Sequence, residues 1–575
     1  MNVSVGRKNI LSFFFILILL FVLNIVCQTF NTGIDLTEDR RYTVSEQSKQ
    51  VLENLDDIVF IRIYLDGDMP VNFKKFRTSV REKIGELKRY SRKNIQYEFR
   101  NPSEGDDENR IAVYRELEKK GIAHISVAER DAEGGSTQRL IFPGALVNYK
   151  GKELSVNFIH SNPMLTTEEN LNLALQNLEY EIIHVIQKIT EKSKNKIAFV
   201  EGHGELDNYS LNGILVNLKD FYDMDRVNID GETGSLDEYK VVVIAKPLER
   251  WSEADKFVLD QYIMNGGRTA WFIDAVHVYE DSLSSGALTM GFVCEHNLND
   301  QLFNYGVRIN HNVIQDLQCS QIQVHAQTSM SNSMQTSSTK FRLVPWTYFP
   351  LLWTSFDNPI TKGVNLVKAQ YPGVIDTVGS STAVKKQYLL YSSDKSKVSA
   401  APLFVSLNQV DEKITEKNFN KSYLPVAVLL EGEFVSTFRN RMISQYVHDP
   451  DFKFRAKSEN TKMIVVSDGD IIRNDVRRTS TPLPLPLGYD RHTDYTYGNG
   501  EFVTNIINYL ADEKNLMSIK NRTVKMRLLD SSKIARYHTE IVLANTALPV
   551  IFVVVCGIVF VWLRRRKYSR PNFRD

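Results

Sequence analysis

Cysteine is scarce in this sequence and forms no recognisable motif. Only four cysteines occur among 575 residues. No CxxC pair and no Cys/His cluster with metal-ligand spacing is present, so the sequence predicts no zinc site and no redox pair. Cys27 and Cys556 lie in long apolar runs, whereas Cys294 and Cys319 lie between those runs. In an oxidising compartment Cys294 and Cys319 could form a disulfide, and two buried free thiols are the alternative.

Several catalytic and binding motifs are also missing. The sequence has no GxxxxGK[ST] loop, which excludes ATP hydrolysis by the P-loop route, and no GxSxG nucleophile elbow. With 70 Lys and Arg against 69 Asp and Glu, the net charge is +1, so no basic surface for nucleic acid is expected. These absences favour a protein that is not an enzyme and that holds no metal or cofactor.

Two long apolar runs lie near the ends of the chain. Residues 10–27 carry no charge, and the run extends to residue 30 with only two polar residues near its end; residues 541–563 are equally apolar. Crossing a hydrocarbon core takes roughly 20 apolar residues, because a helix in lipid must satisfy its own backbone hydrogen bonds. Both runs, 10–30 and 541–563, are predicted as transmembrane helices that bind membrane lipid. A cleaved signal peptide is the alternative for the first run, although no small-residue cleavage site precedes Cys27.

Basic residues next to these runs predict their orientation. Arg7 and Lys8 precede the first run, and a basic cluster begins at Arg564 directly after the second. Short flanks rich in Lys and Arg stay in the cytoplasm. Both termini are therefore predicted to be cytoplasmic, and the residues between the two runs are predicted to lie outside the cytoplasm.

The region after the first run predicts a small mixed α/β domain over residues 31–165. Residues 58–65 read IVFIRIYL, a buried strand, and helical patterns and further short strands follow. The order is thioredoxin-like in outline, without a redox cysteine pair. A helix over 166–192 begins with a capping box, Thr166 and Glu169. Its apolar stripe is predicted either to pack in the core or to form a seam for a partner protein; the stripe consists of Leu171, Leu175, Leu178, Ile182, Val185 and Ile189.

A second α/β domain is predicted over residues 193–517, with insertions. Short apolar strands at 197–200, 241–245 and 269–273 alternate with helices, which is typical of a doubly wound parallel sheet. The proline-bearing run 345–350 is predicted to be a loop. A mixed-charge juxtamembrane segment, 518–540, then leads to the second apolar run, and a basic tail, 564–575, follows it.

Polar residues follow several of these strands, at the edge where ligands bind in open parallel sheets. Carboxylates near a histidine can serve as acid and base or hold a divalent ion. The alternative is that Gly202 and Gly204 form a tight turn while the charges are solvated or pair with Lys246 and Arg250. The candidate ligand-binding residues are Glu201, His203, Glu205, Lys246, Asp274, Asp468 and Asp470.

Four segments together resemble the GldG family, auxiliary components of ABC-type transport systems linked to gliding motility. They are EGHGE after a buried strand, VVVIAKP, FVLDQYIMNGGRTAWFID and LFNYGVRIN. The resemblance implies an ABC permease subunit and a cytoplasmic ATPase subunit as partners, in the inner membrane of bacteria of the Bacteroidetes type, with the main body periplasmic.

The sheet domain also looks similar to glutamine-amidotransferase-like folds, including the trehalose-utilisation type. The nucleophilic cysteine of those enzymes is absent, because Lys246 and Pro247 follow the VVVIA strand. The favoured function is therefore a non-catalytic, extracytoplasmic auxiliary subunit of an ABC-type complex. The alternatives are a scaffold between the inner membrane and surface machinery, and a hydrolase or ligand-binding domain that uses Glu201, His203 and Asp274.

Overall fold

A computed structural model describes most of the chain. The described residues are 13–22, 43–130, 136–160, 162, 165–280, 282–283, 288–325, 341–379, 383–410, 415–441, 453–477, 482–521 and 537–568. Most of the predicted N-terminal flank and first span, much of the juxtamembrane segment and the end of the basic tail lie outside them. The chain divides into two compact units, residues 1–524 and 525–575.

The first part of the larger unit is a small α/β layer. Its central sheet has four strands, in the order β2 (Ile95–Phe99), β1 (Val59–Ile63), β5 (Gly144–Tyr149) and β6 (Lys152–Asn157). The strand β1 runs parallel to β2 and antiparallel to β5. Apolar residues of β1 alternate with partly exposed ones, so one face is buried against helices. This mixed α/β layer agrees with the predicted domain type. Its elements are α2 (Glu46–Glu53), β1 (Val59–Ile63), α3 (Val71–Tyr90), β2 (Ile95–Phe99), α4 (Asp107–Lys119), β3 (Ile125–Arg130), β4 (Ser136–Ile141), β5 (Gly144–Tyr149) and β6 (Lys152–Asn157).

The helix α5 (Thr167–Thr190) begins with the predicted capping box of Thr166 and Glu169. Its apolar stripe lies inside the protein, against α2, α3, β5, β6 and the 3-10 helix Leu516–Asn521. Leu178 and Ile182 are fully buried, and Leu175 is partly buried against the same core. The seam for a partner protein is corrected accordingly: these side chains are used by the protein's own core.

The remaining elements of the larger unit form one large sheet, several short sheets and the helices that cover them. They are β7 (Asn195–Glu201), α6 (Asn208–Leu218), β8 (Tyr222–Asn228), β9 (Val241–Ala245), α7 (Glu253–Met264), β10 (Arg268–Phe272), β11 (Val276–Val278), β12 (Leu288–Val293), α8 (Asn299–Tyr305), β13 (Val307–Ile309), β14 (Asn312–Asp316), β15 (Cys319–His325), β16 (Phe341–Thr354), β17 (Val367–Lys368), β18 (Ile375–Thr377), β19 (Val384–Tyr391), β20 (Ser396–Ala400), β21 (Leu403–Ser406), β22 (Pro425–Val435), β23 (Lys457–Val466), β24 (Val476–Arg477), β25 (Leu483–Pro484), β26 (Tyr489–Asp490), β27 (Tyr495–Thr496) and α9 (Asn499–Ala511).

The large sheet is half parallel and half antiparallel. In the order β8-β7-β9-β10-β23 all neighbouring strands run parallel, whereas β22, β19, β16 and β15 continue the sheet antiparallel beyond β23. All five residues of β9 are buried, because helices cover both faces there. The prediction of a doubly wound parallel sheet therefore holds for five strands, and the antiparallel extension corrects it for the rest.

The strands β11, β12 and β21 form a short antiparallel sheet, and β11 is the strand that follows β10 in the chain. Val276 and Val278 of β11 point into the core, as do Leu403 and Val405 of β21. The opposite side of this small sheet is exposed.

The smaller unit contains the helix α10 (His538–Tyr568). Within it, Val542–Arg566 is 25 residues long and contains an 18-residue stretch with a mean hydropathy of 2.7. At 1.5 Å per residue this is long enough to cross a hydrocarbon core of roughly 30 Å. In the N-terminal run, the described residues form a shorter apolar helix, α1 (Phe13–Val22). Of the two predicted spans, the second thus has the length and composition of a spanning helix.

Candidate functional site

Four of the predicted site residues meet at the carboxyl ends of three adjacent parallel strands. Lys246 directly follows β9, Asp274 lies two residues beyond β10, and Asp468 and Asp470 follow β23. Because β9, β10 and β23 are neighbours in the sheet, these chain segments end side by side. All four side chains are buried.

The ammonium group of Lys246 holds this cluster together. Its Nζ lies 2.5 Å from Asp470 Oδ2 and 3.1 Å from Asp274 Oδ2. The Arg473 Nε contacts the other oxygen of Asp470 at 2.8 Å. Two cations and two carboxylates therefore neutralise one another in a part of the protein where little of their surface meets water. We call Lys246, Asp274, Asp468, Asp470 and Arg473 the ion-pair cluster.

Backbone groups fix the carboxylates of the cluster. The Gly469 N–H donates to Asp274 Oδ1 at 2.6 Å, and the Asp470 N–H donates to Asp468 Oδ1 at 2.7 Å. Only glycine fits at 469, because a Cβ there would lie 2.6 Å from the Cβ of Lys246. Lys246 itself adopts a φ of 58°, a left-handed conformation that a lysine rarely takes and that the surrounding contacts hold in place.

Charge and burial shift the pKa values of the cluster in opposite directions. Burial, together with the neighbouring charges of Asp470 and Asp274, raises the pKa of Asp468 well above its usual range. Burial opposes the ionisation of Asp470, but Arg473 and Lys246 outweigh it and lower the pKa of Asp470. Burial likewise opposes the charge on Lys246, and Asp274 and Asp470 raise its pKa above the ordinary value.

The carboxylates of Asp274, Asp468 and Asp470 are close enough to share a cation. Lys246 already supplies one, since its ammonium contacts two of these three carboxylates. A divalent ion would have to compete with that ammonium for the same oxygens. The chemistry of the cluster is therefore that of a closed ion-pair network.

The predicted residues around the EGHGE turn lie in a second, separate place. The His203 ring stacks on Trp251 with a centroid distance of 4.2 Å and an interplanar angle of 14°. Its Nε2 lies 3.1 Å from Asp255 Oδ2, and its Nδ1 lies 3.4 Å from Glu205 Oε1. Burial opposes protonation, but Asp255 and Glu205 raise the pKa of His203 to about 9. A histidine paired in this way is a fixed cation rather than a free base.

The remaining predicted residue, Glu201, is exposed and pairs with Arg226 at 3.0 Å. Gly202 and Gly204 have φ values of 112° and 77°, so the tight-turn interpretation of EGHGE is correct. Glu201, His203 and Asp274 thus have three different partners, and the structure does not bring them together as a hydrolase site.

A cleft of about 340 Å³ opens beside the ion-pair cluster. Sequence reasoning missed most of its walls, because they come from segments far apart in the chain. Of these wall residues, Arg473 was the easiest to infer from sequence, because it lies only three residues after Asp470, at the end of a 3-10 helical turn. The lining includes Lys246, Asp274, Asp470, Arg473, His277, Tyr279, Glu280, Gln370 and Tyr371.

Cys294 and Cys319 are free thiols in the structure, so the disulfide is not formed. Burial raises the pKa of each thiol to about 12, so neither is a reactive nucleophile.

These features define a class of protein: an α/β body that carries an apolar helix of membrane-spanning length. A family described as an ABC-type uncharacterized transport system matches residues 194–506, more than half of the chain, and the protein belongs to this family. A domain of unknown function, DUF7088, matches residues 38–148. Family membership associates the protein with an ABC transporter, in general with permease and ATPase partners, and suggests a non-catalytic, auxiliary role.

Two further similarities were found. An uncharacterized protein of Borreliella burgdorferi is 21% identical over 544 residues, which cover 94% of this chain and 93% of the relative. Among solved structures, the mmIFT52 N-terminal domain aligns with 55% of this chain and 97% of its own length, at 11% identity and a TM-score of 0.31. A TM-score this low supports no inference about fold or function.

Replacing Lys246 tests the cluster. Lys246→Met keeps an unbranched side chain, one atom shorter, but leaves buried carboxylates without their ammonium partner. We expect the free energy of unfolding to fall by about 3 kcal/mol or more, measured by urea denaturation of the purified protein in detergent. Lys196→Met, which removes an exposed ion pair with Glu238, should cause no measurable change. Equal stability of the two variants would contradict a buried ion-pair network.

The His203 pair predicts a pH dependence of stability. The pKa of His203 is about 9 in the folded protein and about 6.5 ordinarily, so its stabilising charge is fully present below about pH 6.5 and is lost as the pH rises through 9. We expect wild-type stability towards urea to fall over this window. His203→Gln and Asp255→Asn should both reduce this loss of stability at high pH. An unchanged pH profile in these variants would show that the His203–Asp255 pair does not cause the loss.

Proposed function

We propose that this protein is a membrane-anchored, extracytoplasmic auxiliary subunit of an ABC-type transporter that acts by binding and assembly rather than by catalysis. The observation that carries the proposal is the family match over residues 194–506, combined with the apolar helix α10. Three arginines, Arg564 to Arg566, stand at the end of this span. The positive-inside rule favours a cytoplasmic location for that end, so we propose that the chain before α10 lies on the other side of the membrane.

The proposal includes a second anchor at the N-terminus. The helix α1 belongs to the apolar run 10–30, and Arg7 and Lys8 precede that run. Two spans with basic flanks on the same side give cytoplasmic termini and a periplasmic body in a bacterial inner membrane.

The site supports a role in binding. The buried charges at the strand ends neutralise one another, and His203 is held between two carboxylates. We treat residues 31–165 as the small α/β domain and residues 193–517 as an amidotransferase-like domain without the catalytic cysteine. In support, β8-β7-β9-β10-β23 is a parallel series, and Lys246 stands directly after β9.

The resemblance to GldG extends the proposal to gliding motility. In that role the subunit would assist a permease and an ATPase whose transport activity is needed for the surface machinery. A gene deletion that abolishes gliding, restored by the full-length chain, is the result this extension requires.

Affinity purification tests the central proposal. We expect a C-terminally tagged full-length protein, extracted from native membranes in mild detergent, to recover a polytopic permease and a P-loop ATPase in fixed ratio. A variant truncated before α10 should lose both, because the proposed contact with the permease includes the membrane helix. Consistent recovery of the full-length protein alone would refute the role.

A further inference from the structure

An unusual apolar surface lies on the small sheet β11-β12-β21. In antiparallel pairs, residues directly opposite each other point to the same side. His277 of β11 faces Phe292 of β12, and Met290 of β12 faces Phe404 of β21. Leu288 lies on the same side, because it alternates with Met290 along β12.

The large side chains on this side are strongly exposed. Leu288 is 52%, Phe292 48% and Phe404 63% exposed, whereas Gly291 and Thr289, on the other side of β12, are buried. Tyr279, just beyond β11, is 55% exposed and meets the His277 ring edge to face at 4.5 Å. Several large apolar side chains exposed on one side of a sheet are typical of a surface that binds something. We call Leu288, Met290, Phe292, Phe404 and Tyr279 the apolar face.

The apolar face continues into the cleft beside the ion-pair cluster. His277 and Tyr279 belong to the side of β11 that carries the face, and both also line the cleft. Through His277 and Tyr279 the apolar face therefore adjoins the cleft. The two places form one surface with an apolar part and a charged part.

The charged part has a surplus of negative charge. Lys246 is neutralised by Asp274 and Asp470, and Arg473 contacts Asp470 at 2.8 Å. Among the described residues, the cation that contacts Glu280 is this same Arg473, at 3.9 Å. The Arg473 guanidinium is thus shared between two carboxylates, and that of Asp470 lies closer to it than that of Glu280.

The surroundings of Glu280 favour an incoming cation. Partial desolvation in the cleft raises the pKa of Glu280, and so do the carboxylates of Asp470 and Asp475, against the opposing effects of Arg473 and Lys246. The Glu280 side chain is still 43% exposed, so an incoming group can reach it. A bound ammonium or guanidinium group would stabilise the ionised carboxylate. The neighbouring rings of Tyr279 and Tyr371 line the same cleft, and aromatic rings also attract cations.

We propose that this surface docks an extended segment of another protein of the transport complex, with apolar side chains on the apolar face and one lysine or arginine side chain in the cleft beside Glu280. The inference rests on the proposed auxiliary role and names the surface that performs it outside the membrane. Charge complementarity selects the occupant: a lysine or arginine side chain brings a cation alone, whereas a zwitterionic lipid headgroup also brings a phosphate, which the carboxylates of Glu280 and Asp470 would repel.

Site-specific crosslinking in native membranes tests the docking surface. The full-length protein carries p-benzoylphenylalanine in place of Phe292 or Phe404. Phe356, which is 78% exposed and lies outside the apolar face, is the control position. We expect the two face positions, and not the control, to crosslink to one protein, and mass spectrometry to place the crosslink within a few residues of a lysine or arginine.

The charge requirement is tested in the same strains. Glu280→Gln should reduce the crosslink yield at Phe292 about fivefold or more, because the neutral amide keeps the shape of the side chain and removes its charge. Glu459→Gln, at an exposed carboxylate paired with Arg455, should leave the yield unchanged.

Other outcomes overturn the inference. Crosslinks to lipid, to a second copy or to the chain's own loops would identify a different occupant, and a yield insensitive to Glu280→Gln would remove the cationic contact. If crosslinking fails while the permease and ATPase still co-purify, the docking surface is refuted and the auxiliary role stands. If neither occurs, the auxiliary role itself fails.

Discussion

The buried ammonium of Lys246 constrains the centre of the structure. A charge removed from water is tolerated only beside opposite charges, and the two carboxylates that contact it come from the ends of different strands. The loops after β9, β10 and β23 must therefore approach one another closely. Gly469 permits that approach, since any larger residue would collide with Lys246.

The same network determines the shape of the neighbouring cleft. Arg473, held by Asp470, donates to Gln370 Oε1 at 2.9 Å and lies near Glu280. The wall of the cleft is thereby fixed to the sheet through a chain of charged contacts. In the proposed docking, a cleft whose wall is already held by these contacts needs little further ordering when the partner binds.

Part of this site was predictable from sequence for a simple reason. Short, continuous apolar runs such as VVVIA predict parallel strands, and the polar residues that follow neighbouring parallel strands must meet at one edge. Lys246, Asp274, Asp468 and Asp470 follow that rule. His203 does not join them, because the left-handed turn at Gly202 and Gly204 directs it towards Trp251 and α7.

The other features of the site depend on contacts between residues far apart in the chain, and such contacts leave no local pattern in the sequence. Asp255 meets His203 across 52 residues, and Lys246 meets Asp470 across 224. The run 345–350 was predicted as a loop because prolines cannot donate to a sheet ladder. The structure places it in β16, where Pro345 pairs with Gln321 and Pro350 with Cys319, on either side of an irregularity in the register. That irregularity accommodates residues that a regular ladder would exclude.

The apolar stripe of α5 was recognisable in the sequence, but its role was not. Its spacing is the same for a core helix and for a partner-binding helix, and only the burial of Leu178 and Ile182 under neighbouring elements distinguishes the two. By contrast, the exposed apolar residues of β12 and β21 alternate with buried ones. The strands are only a few residues long, so the alternation is too short to stand out in the sequence.

The location of the body relative to the membrane is the claim on which the functional account depends, and cysteine accessibility measures it directly. Phe356→Cys in the body and Ser569→Cys in the tail are exposed to a membrane-impermeant maleimide in intact spheroplasts. The account predicts that Phe356→Cys is labelled at once and that Ser569→Cys is labelled only after the membrane is lysed. Labelling of the tail but not of the body in intact spheroplasts would contradict it.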